Sequence, residues 1–312
     1  MQNNHLAFIF PGQGSQRIGM LSELAEHYPV IGNTFAEASE VLGYDLWDLS
    51  QNGQQEDINL TERTQPLLLT ASVALWRVWQ QRDGRLPSLM AGHSLGEWSA
   101  LVCTGTVDFA AAVDLVRMRG AFMQEAVPEG EGAMAAVIGL DDDVIRDVCL
   151  QAAQDGVVSP ANFNSPGQVA IAGDSAAVER AMTALKAAGA KRILPLPVSA
   201  PFHTSLMKPA GERLTPHILA TEFRAPSIPI VHNVHARTES DPEVIKAVMI
   251  EQIHKPVRWV DCIHAMVSQG ITTMVECGAG KVVGGLAKRI DKSLTVYATE
   301  DEESLNTALS SC

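Results

Sequence analysis

Ser94 stands between Gly92 and Gly96 in Gly92-His93-Ser94-Leu95-Gly96-Glu97, after a short apolar run over 87–91 and before a helix-like run over 98–102. The spacing predicts a strand-to-helix turn that carries a serine hydroxyl. A nucleophile on so sharp a corner leaves no room for neighbouring side chains, and glycine on both sides meets that need. The turn also sets Ser94 at a helix N-terminus, where unpaired backbone N–H groups can stabilise a developing oxyanion. Five-residue matches of this kind arise by chance in long chains, and a plain glycine-rich turn is the competing reading.

A serine hydroxyl is a weak nucleophile near neutral pH and requires a base, usually histidine. The chain holds nine histidines. His5, His27 and His217 fall in polar or terminal contexts and are expected in solvent. His232, His235, His254 and His264 lie in or beside predicted elements and read as structural. His93 adjoins the serine, and a tight turn is expected to send its side chain away. His203, in Ser199-Ala200-Pro201-Phe202-His203-Thr204, is favoured by position.

Arg119 is the next informative residue. At 100° per residue, the apolar face of the stretch 108–120 centres on Phe109, Ala112, Val113 and Val116, with Arg119 roughly 60° from its centre and Arg117 roughly 100° away on the other side. Arg119 should be the more buried. A buried guanidinium needs an anion, either an acidic side chain, which is the commoner case, or a ligand carboxylate. Pro11-Gly12-Gln13-Gly14-Ser15-Gln16 lacks the spacing and the lysine of a phosphate loop. It reads as a turn bringing a backbone N–H close to a neighbouring site, since parallel strands gather their loops at one sheet edge.

The elements that must position these residues alternate strand and helix, the pattern of an α/β fold with a mostly parallel sheet. Strands are expected at 6–10, 89–92, 228–231, 273–275 and 294–297. Thr64-Gln65-Pro66 is expected to open a long helix over 67–78, and Asp108 to cap a helix running to Arg119. The middle of the chain reads as strand 133–140, helix 142–153, strands 157–162 and 168–172, helix 176–188 and strand 191–196. That order is the βαββαβ of ferredoxin-like units. The expected organisation is a discontinuous large α/β-hydrolase-like domain over 1–127 and 199–312, with a ferredoxin-like insert over 128–198. A cleft between the two is a usual binding site, and His203 sits where the insert ends.

The 312 residues are 46% apolar and 19% charged, an ordinary globular composition, and the formal net charge of −13 with no basic stripe argues against nucleic-acid binding. Cys103, Cys149, Cys262, Cys277 and Cys312 are scattered singly, which fits reduced cytosolic thiols rather than a disulfide framework or a metal site. The chain runs at once into a core strand without the charged start of a signal peptide, and no apolar run approaches a membrane span. A soluble, cytoplasmic protein is expected.

Taken in order, FPGQGSQ (10–16), TQP (64–66), GHSLGE (92–97), VRMRG (116–120), GAMAAVIGL (132–140), NFNSPGQ (162–168), KPVRW (255–259) and ECGAGKV (276–282) resemble the malonyl-CoA:acyl carrier protein transacylases, the acyltransferases of bacterial fatty-acid synthesis, nearly end to end. The resemblance implies that Ser94 is acylated and His203 is its base. It implies that Arg119 binds the malonyl carboxylate and that the N–H groups of Gln13 and Leu95 form an oxyanion hole, with Gln252, Gln65, His93 and Asn162 in support. It further implies a ping-pong transfer from malonyl-CoA to the phosphopantetheine thiol of acyl carrier protein, with no bound cofactor or metal. Phe202 stands where other members carry a different residue; in related polyketide acyltransferases a phenylalanine there accompanies malonyl choice. An acidic carrier would need a local basic patch on this acidic chain. Lys191 and Arg192, and Lys288 and Arg289 in the expected final helix, are the candidates, with a solvated charged face as the equal reading. The rival functions are a serine thioesterase or hydrolase, which also uses G-x-S-x-G, a trans-acting polyketide acyltransferase, and an inactive carrier-binding module.

Overall fold

The computed structural model describes residues 5–198 and 200–312. Residues 1 and 199, where the two expected segments of the large domain begin, lie outside the described residues. The strands are β1 (Leu6–Phe10), β2 (Leu89–Gly92), β3 (Gly132–Ile138), β4 (Val158–Ser165), β5 (Gln168–Asp174), β6 (Arg192–Pro195), β7 (Ile230–Val231), β8 (Thr273–Glu276) and β9 (Thr295–Ala298).

Five of them form one sheet in the order β7-β2-β1-β8-β9, and every pairing in it is parallel. β1 lies at its centre and is buried at all five positions, as a strand covered on both faces must be. Its side chains alternate between two cores. Leu6, Phe8 and Phe10 enter one, which also holds Trp76 and Trp79, while Ala7 and Ile9 enter the other with Trp259, Ile263 and Met266. Phe8 meets Trp76 and Trp79 edge-on at 5.3 and 5.0 Å, the arrangement that ring quadrupoles favour.

The remaining strands form an antiparallel sheet, β4-β5-β3-β6. Helices Asp142–Ala153 and Ser175–Ala187 cover one face, through Ile145, Cys149, Val178 and Leu185 on Ala135, Val137, Val169 and Ile171. The other face is built from Met134, Ala161, Ala170 and Ala172, against Leu196 and Phe202. The segment leading into helix Trp259–Ser268 is tied to β4 where Val257 donates to the Ala161 carbonyl (2.8 Å) and accepts from the Phe163 N–H (2.9 Å).

Between β1 and β2, where no strand is expected, the chain forms helices Ser22–His27, Pro29–Leu42, Leu46–Asn52, Gln55–Asn59 and Thr61–Gln81 in succession. Some expectations are corrected. Pro66 lies inside the last of these helices rather than at its opening; Thr64 Oγ1 donates to the Ile58 and Leu60 carbonyls just before it. Helix Phe109–Glu125 runs six residues past Arg119, and Asp108 makes no side-chain cap bond because its carboxylate faces Arg224 instead. Lys288 and Arg289 end helix Val282–Ile290, and the final helix is Glu302–Ser311. No helix among the described residues is long and apolar enough to cross a membrane.

Candidate active site

Because β7, β2 and β1 are adjacent and parallel, the loops after them meet at one edge. These loops carry Asn233, Ser94 and Gln13. Ser94 follows β2 directly and precedes helix Leu95–Cys103. Its backbone sits at φ 53°, ψ −107°, a region where side chains other than glycine are uncommon. Crowding is severe on both sides. A Cβ on Gly92 would lie 1.9 Å from the Gly96 carbonyl carbon, and one on Gly96 would lie 2.2 Å from the Phe10 carbonyl oxygen. The glycine spacing therefore lets the turn pack against itself and against β1, and the His93 N–H donates to the Phe10 carbonyl at 3.0 Å.

Ser94 Oγ lies 2.7 Å from His203 Nε2. His203 Nδ1 faces the main-chain carbonyls of Gln252 (2.9 Å) and Lys255 (3.1 Å). Carbonyls only accept, so Nδ1 carries the proton and the Nε2 lone pair points at the serine hydroxyl. His203 is itself at φ 59°, so both members of the pair have a positive φ. It is 4% exposed, and burial, with the Arg119 charge beside it, pushes its pKa down to about 3.

Arg119 is buried as expected, but no acidic side chain among the described residues pairs with it. Nη1 donates to Gln65 Oε1 (2.8 Å) and Nη2 to Gln252 Oε1 (2.9 Å). Nη2 also reaches Ser94 Oγ at 3.3 Å, while Nε is buried without a partner among the described residues. Burial lowers its pKa to about 10, opposed by the charge of Glu97. The commoner expectation, an internal carboxylate partner, is corrected. Two neutral amides hold the guanidinium and leave its charge unmatched by direct contact. Arg117 is half-exposed and pairs with Asp114 instead.

Ser94, His203, Arg119 and Gln65 line a cavity of about 200 Å³, together with Gln13, His93, Leu95, Asn162, Asn164 and Phe202. The small sheet supplies its roof through Met134, Asn162 and Ala170. Neither the Gln13 nor the Leu95 amide has a protein acceptor among the described residues. His93 borders the same cavity, with its Nε2 2.8 Å from Asn164 Oδ1 and its ring edge-on to Trp259 at 5.5 Å. Lys191, Arg192, Lys288 and Arg289 lie outside this cavity.

Two polar residues, Glu97 and Asn233, had no role assigned from sequence. Glu97 is fully buried and takes the His232 Nδ1–H (2.6 Å), the Asn233 N–H (3.2 Å) and the Gln252 Nε2–H (2.8 Å). Gln252 Nε2 also donates to the Ser94 carbonyl at 2.8 Å. Asn233 bridges the turn through Gly92 and Ser94. The available signal was positional: His232 and Asn233 directly follow the strand-like run Ile228 to Val231.

Comparison with known proteins gives a consistent result. The family described as acyl transferase domain matches residues 7–288. The malonyl CoA-acyl carrier protein transacylase of Salmonella typhimurium is 56% identical over 97% of this chain and 98% of its own length. That of Bacillus subtilis is 44% identical over 97% and 96%. Among solved structures, an acyl carrier protein S-malonyltransferase from Vibrio cholerae superposes with a TM-score of 0.96 at 57% identity, covering 97% of this chain and 99% of that one. A malonyl-transacylase in complex with its type II PKS acyl-carrier protein gives 0.98 at 54% identity, over 99% and 100%.

Proposed function

This chain belongs to the acyl transferase domain family, and we propose that Ser94 and His203 carry malonyl from malonyl-CoA to the phosphopantetheine thiol of an acyl carrier protein. The chain is an acyltransferase of the malonyl-CoA:acyl carrier protein type. His203 Nε2 takes the Ser94 proton as Oγ attacks the thioester carbonyl, and the N–H groups of Gln13 and Leu95 receive the oxyanion. Collapse expels the coenzyme A thiolate, which takes the proton from His203. The carrier thiol then gives its proton to the same nitrogen and attacks the ester carbonyl; collapse breaks the bond to Ser94 Oγ, which takes that proton back from His203. Serine, histidine and N–H donors complete this chemistry without a metal or an organic cofactor.

The observation that carries this reading is Arg119, a buried cation 3.3 Å from the nucleophile, held by two neutral amides and with no carboxylate paired to it among the described residues. Such a group selects an acyl chain ending in a carboxylate. His93, Asn162, Gln65 and Gln252 are supporting residues. A thioesterase or hydrolase has no comparable use for that cation and is not favoured; nor is a trans-acting polyketide acyltransferase or an inactive module.

The order β4-β5-β3-β6 supports reading 128–198 as a ferredoxin-like insert in a hydrolase-like large domain, and a cytoplasmic location suits these substrates. Lys191, Arg192, Lys288 and Arg289 form the carrier-docking face. Intact mass after incubation with malonyl-CoA tests the function. A malonyl adduct on Ser94, stable in buffer and discharged by holo carrier protein, is expected; discharge by water at a comparable rate would mean a hydrolase.

A further inference from the structure

Ser94-Leu95-Gly96-Glu97 has the spacing of a helix capping box. There the first hydroxyl accepts the N–H of the fourth residue and the fourth residue's carboxylate accepts the N–H of the first. Neither arm closes here. Ser94 makes no side-chain cap bond, and the Glu97 N–H goes to the Ser94 main-chain carbonyl at 3.1 Å. The Glu97 carboxylate is turned to His232, Asn233 and Gln252. What would be its local partner, the Ser94 N–H, donates instead to Asn233 Oδ1 at 2.8 Å.

Asn233 is fully buried, and each of its polar side-chain atoms meets the turn. Nδ2 donates to the Gly92 carbonyl at 2.7 Å while Oδ1 accepts from Ser94. One partner only accepts and the other only donates, so the carboxamide has a single orientation. It spans the positions on either side of His93 and holds together a corner whose central serine is at positive φ.

We propose that Asn233 is the positioning residue of the nucleophile: it replaces Glu97 as the acceptor for the Ser94 N–H, so that Ser94 Oγ is left to His203 and Glu97 to Gln252. It also removes the Ser94 N–H from the donors available to an incoming carbonyl, leaving those of Leu95 and Gln13. The inference rests on Ser94 being the acylated residue. It separates Asn233 from Arg119 in kind, because Asn233 acts on the hydroxyl and not on the acyl chain.

The test is single-turnover acylation of Asn233→Ala and of the isosteric Asn233→Asp, which sets a carboxylate oxygen against the Gly92 carbonyl. Malonyl-CoA and acetyl-CoA are both used, and acylatable sites are counted by intact mass. The rate constant per acylatable site is expected to fall about tenfold or more, by the same factor for both thioesters, with half-saturation by malonyl-CoA changed less than about twofold. An unchanged rate constant per site with only fewer sites or a lower Tm overturns the inference, as does slowing of malonyl alone. In the wild-type chain the Ser94 amide is expected to exchange with deuterium more slowly than the Leu95 amide; equal rates also overturn it, whether or not either variant folds. A wild-type chain that forms no Ser94 adduct overturns the functional reading itself, whereas a wild-type adduct beside unslowed variants overturns this inference alone.

Discussion

The main-chain carbonyl of Gln252 lies 2.9 Å from His203 Nδ1, where a Ser-His-Asp triad keeps a carboxylate. The substitution of a dipole for a charge has consequences. A carbonyl fixes the tautomer as well as an acid does, because it can only accept. It does not stabilise an imidazolium with a full negative charge. Burial and Arg119 therefore dominate, and His203 stays neutral far below its ordinary range.

The lone pair on Nε2 consequently persists in acid. Single-turnover acylation of Ser94 is expected to be flat from about pH 8 to about pH 5, with no break near the ordinary histidine value of about 6.5. A break between pH 6 and 7 that follows the acylation step would contradict this assignment. The same shift works against folding in acid. Below about pH 6.5 the unfolded chain binds a proton that folded His203 refuses, so this contribution to stability declines as pH falls towards about 3.

Arg119→Ala is expected to reduce the ratio of kcat/KM for malonyl-CoA over acetyl-CoA. A hydrogen bond to a charged group contributes about 1.5–3 kcal/mol, so the ratio should fall roughly ten- to 150-fold. Acetyl has no carboxylate to pair and should lose far less. Steady-state comparison of the two thioesters decides it, and an unchanged ratio would remove Arg119 from substrate selection.

Gly96→Ala sets two effects of opposite sign against each other. Alanine in a helix gains about 1 kcal/mol over glycine. The new Cβ would lie 2.2 Å from the Phe10 carbonyl oxygen and 2.8 Å from that of Pro11, both fixed backbone. Overpacking of this kind costs about 1–3 kcal/mol or more, so the net effect is a lower urea midpoint. Acylation should slow beyond what the loss of folded protein explains, since relief requires the turn to move away from β1. A variant as stable and as fast as wild type would show that the corner has room to spare.

The parallel sheet, the second sheet and the serine turn were legible in the sequence because each has a local signal: β1 is apolar throughout, and the helices of the small sheet alternate with its strands. Residues 22–59 carried no clear signal, being short helices that are stable only against the rest of the fold. Arg119 showed its burial through helical periodicity but not its partners, since Gln65 and Gln252 lie 54 and 133 residues away. Asn233 was invisible for the same reason, 139 residues from the amide that it holds. Glu97 stood inside the most conspicuous motif, yet its partners His232, Asn233 and Gln252 lie 135, 136 and 155 residues away.

The two basic pairs are drawn towards one end of the small sheet. Arg192 pairs in register with Ile138, and Ile138 with Gln168, which sets Arg192 and Gln168 about 10 Å apart across β3. Arg289 Nη1 donates to Gln168 Oε1 at 2.9 Å, tying helix Val282–Ile290 to the same end. An acidic carrier approaching a chain of net charge −13 is repelled at long range, so local cations must supply the attraction at contact. Reversal of Lys191, Arg192, Lys288 and Arg289 to glutamate is expected to raise KM for the carrier protein about tenfold or more while leaving Ser94 acylation by malonyl-CoA unchanged. Raising salt should narrow the difference, as screening over about 10 Å or less weakens both attraction and repulsion. If KM for the carrier stays at its wild-type value across that salt series, these four residues are an ordinary solvated face and docking occurs elsewhere.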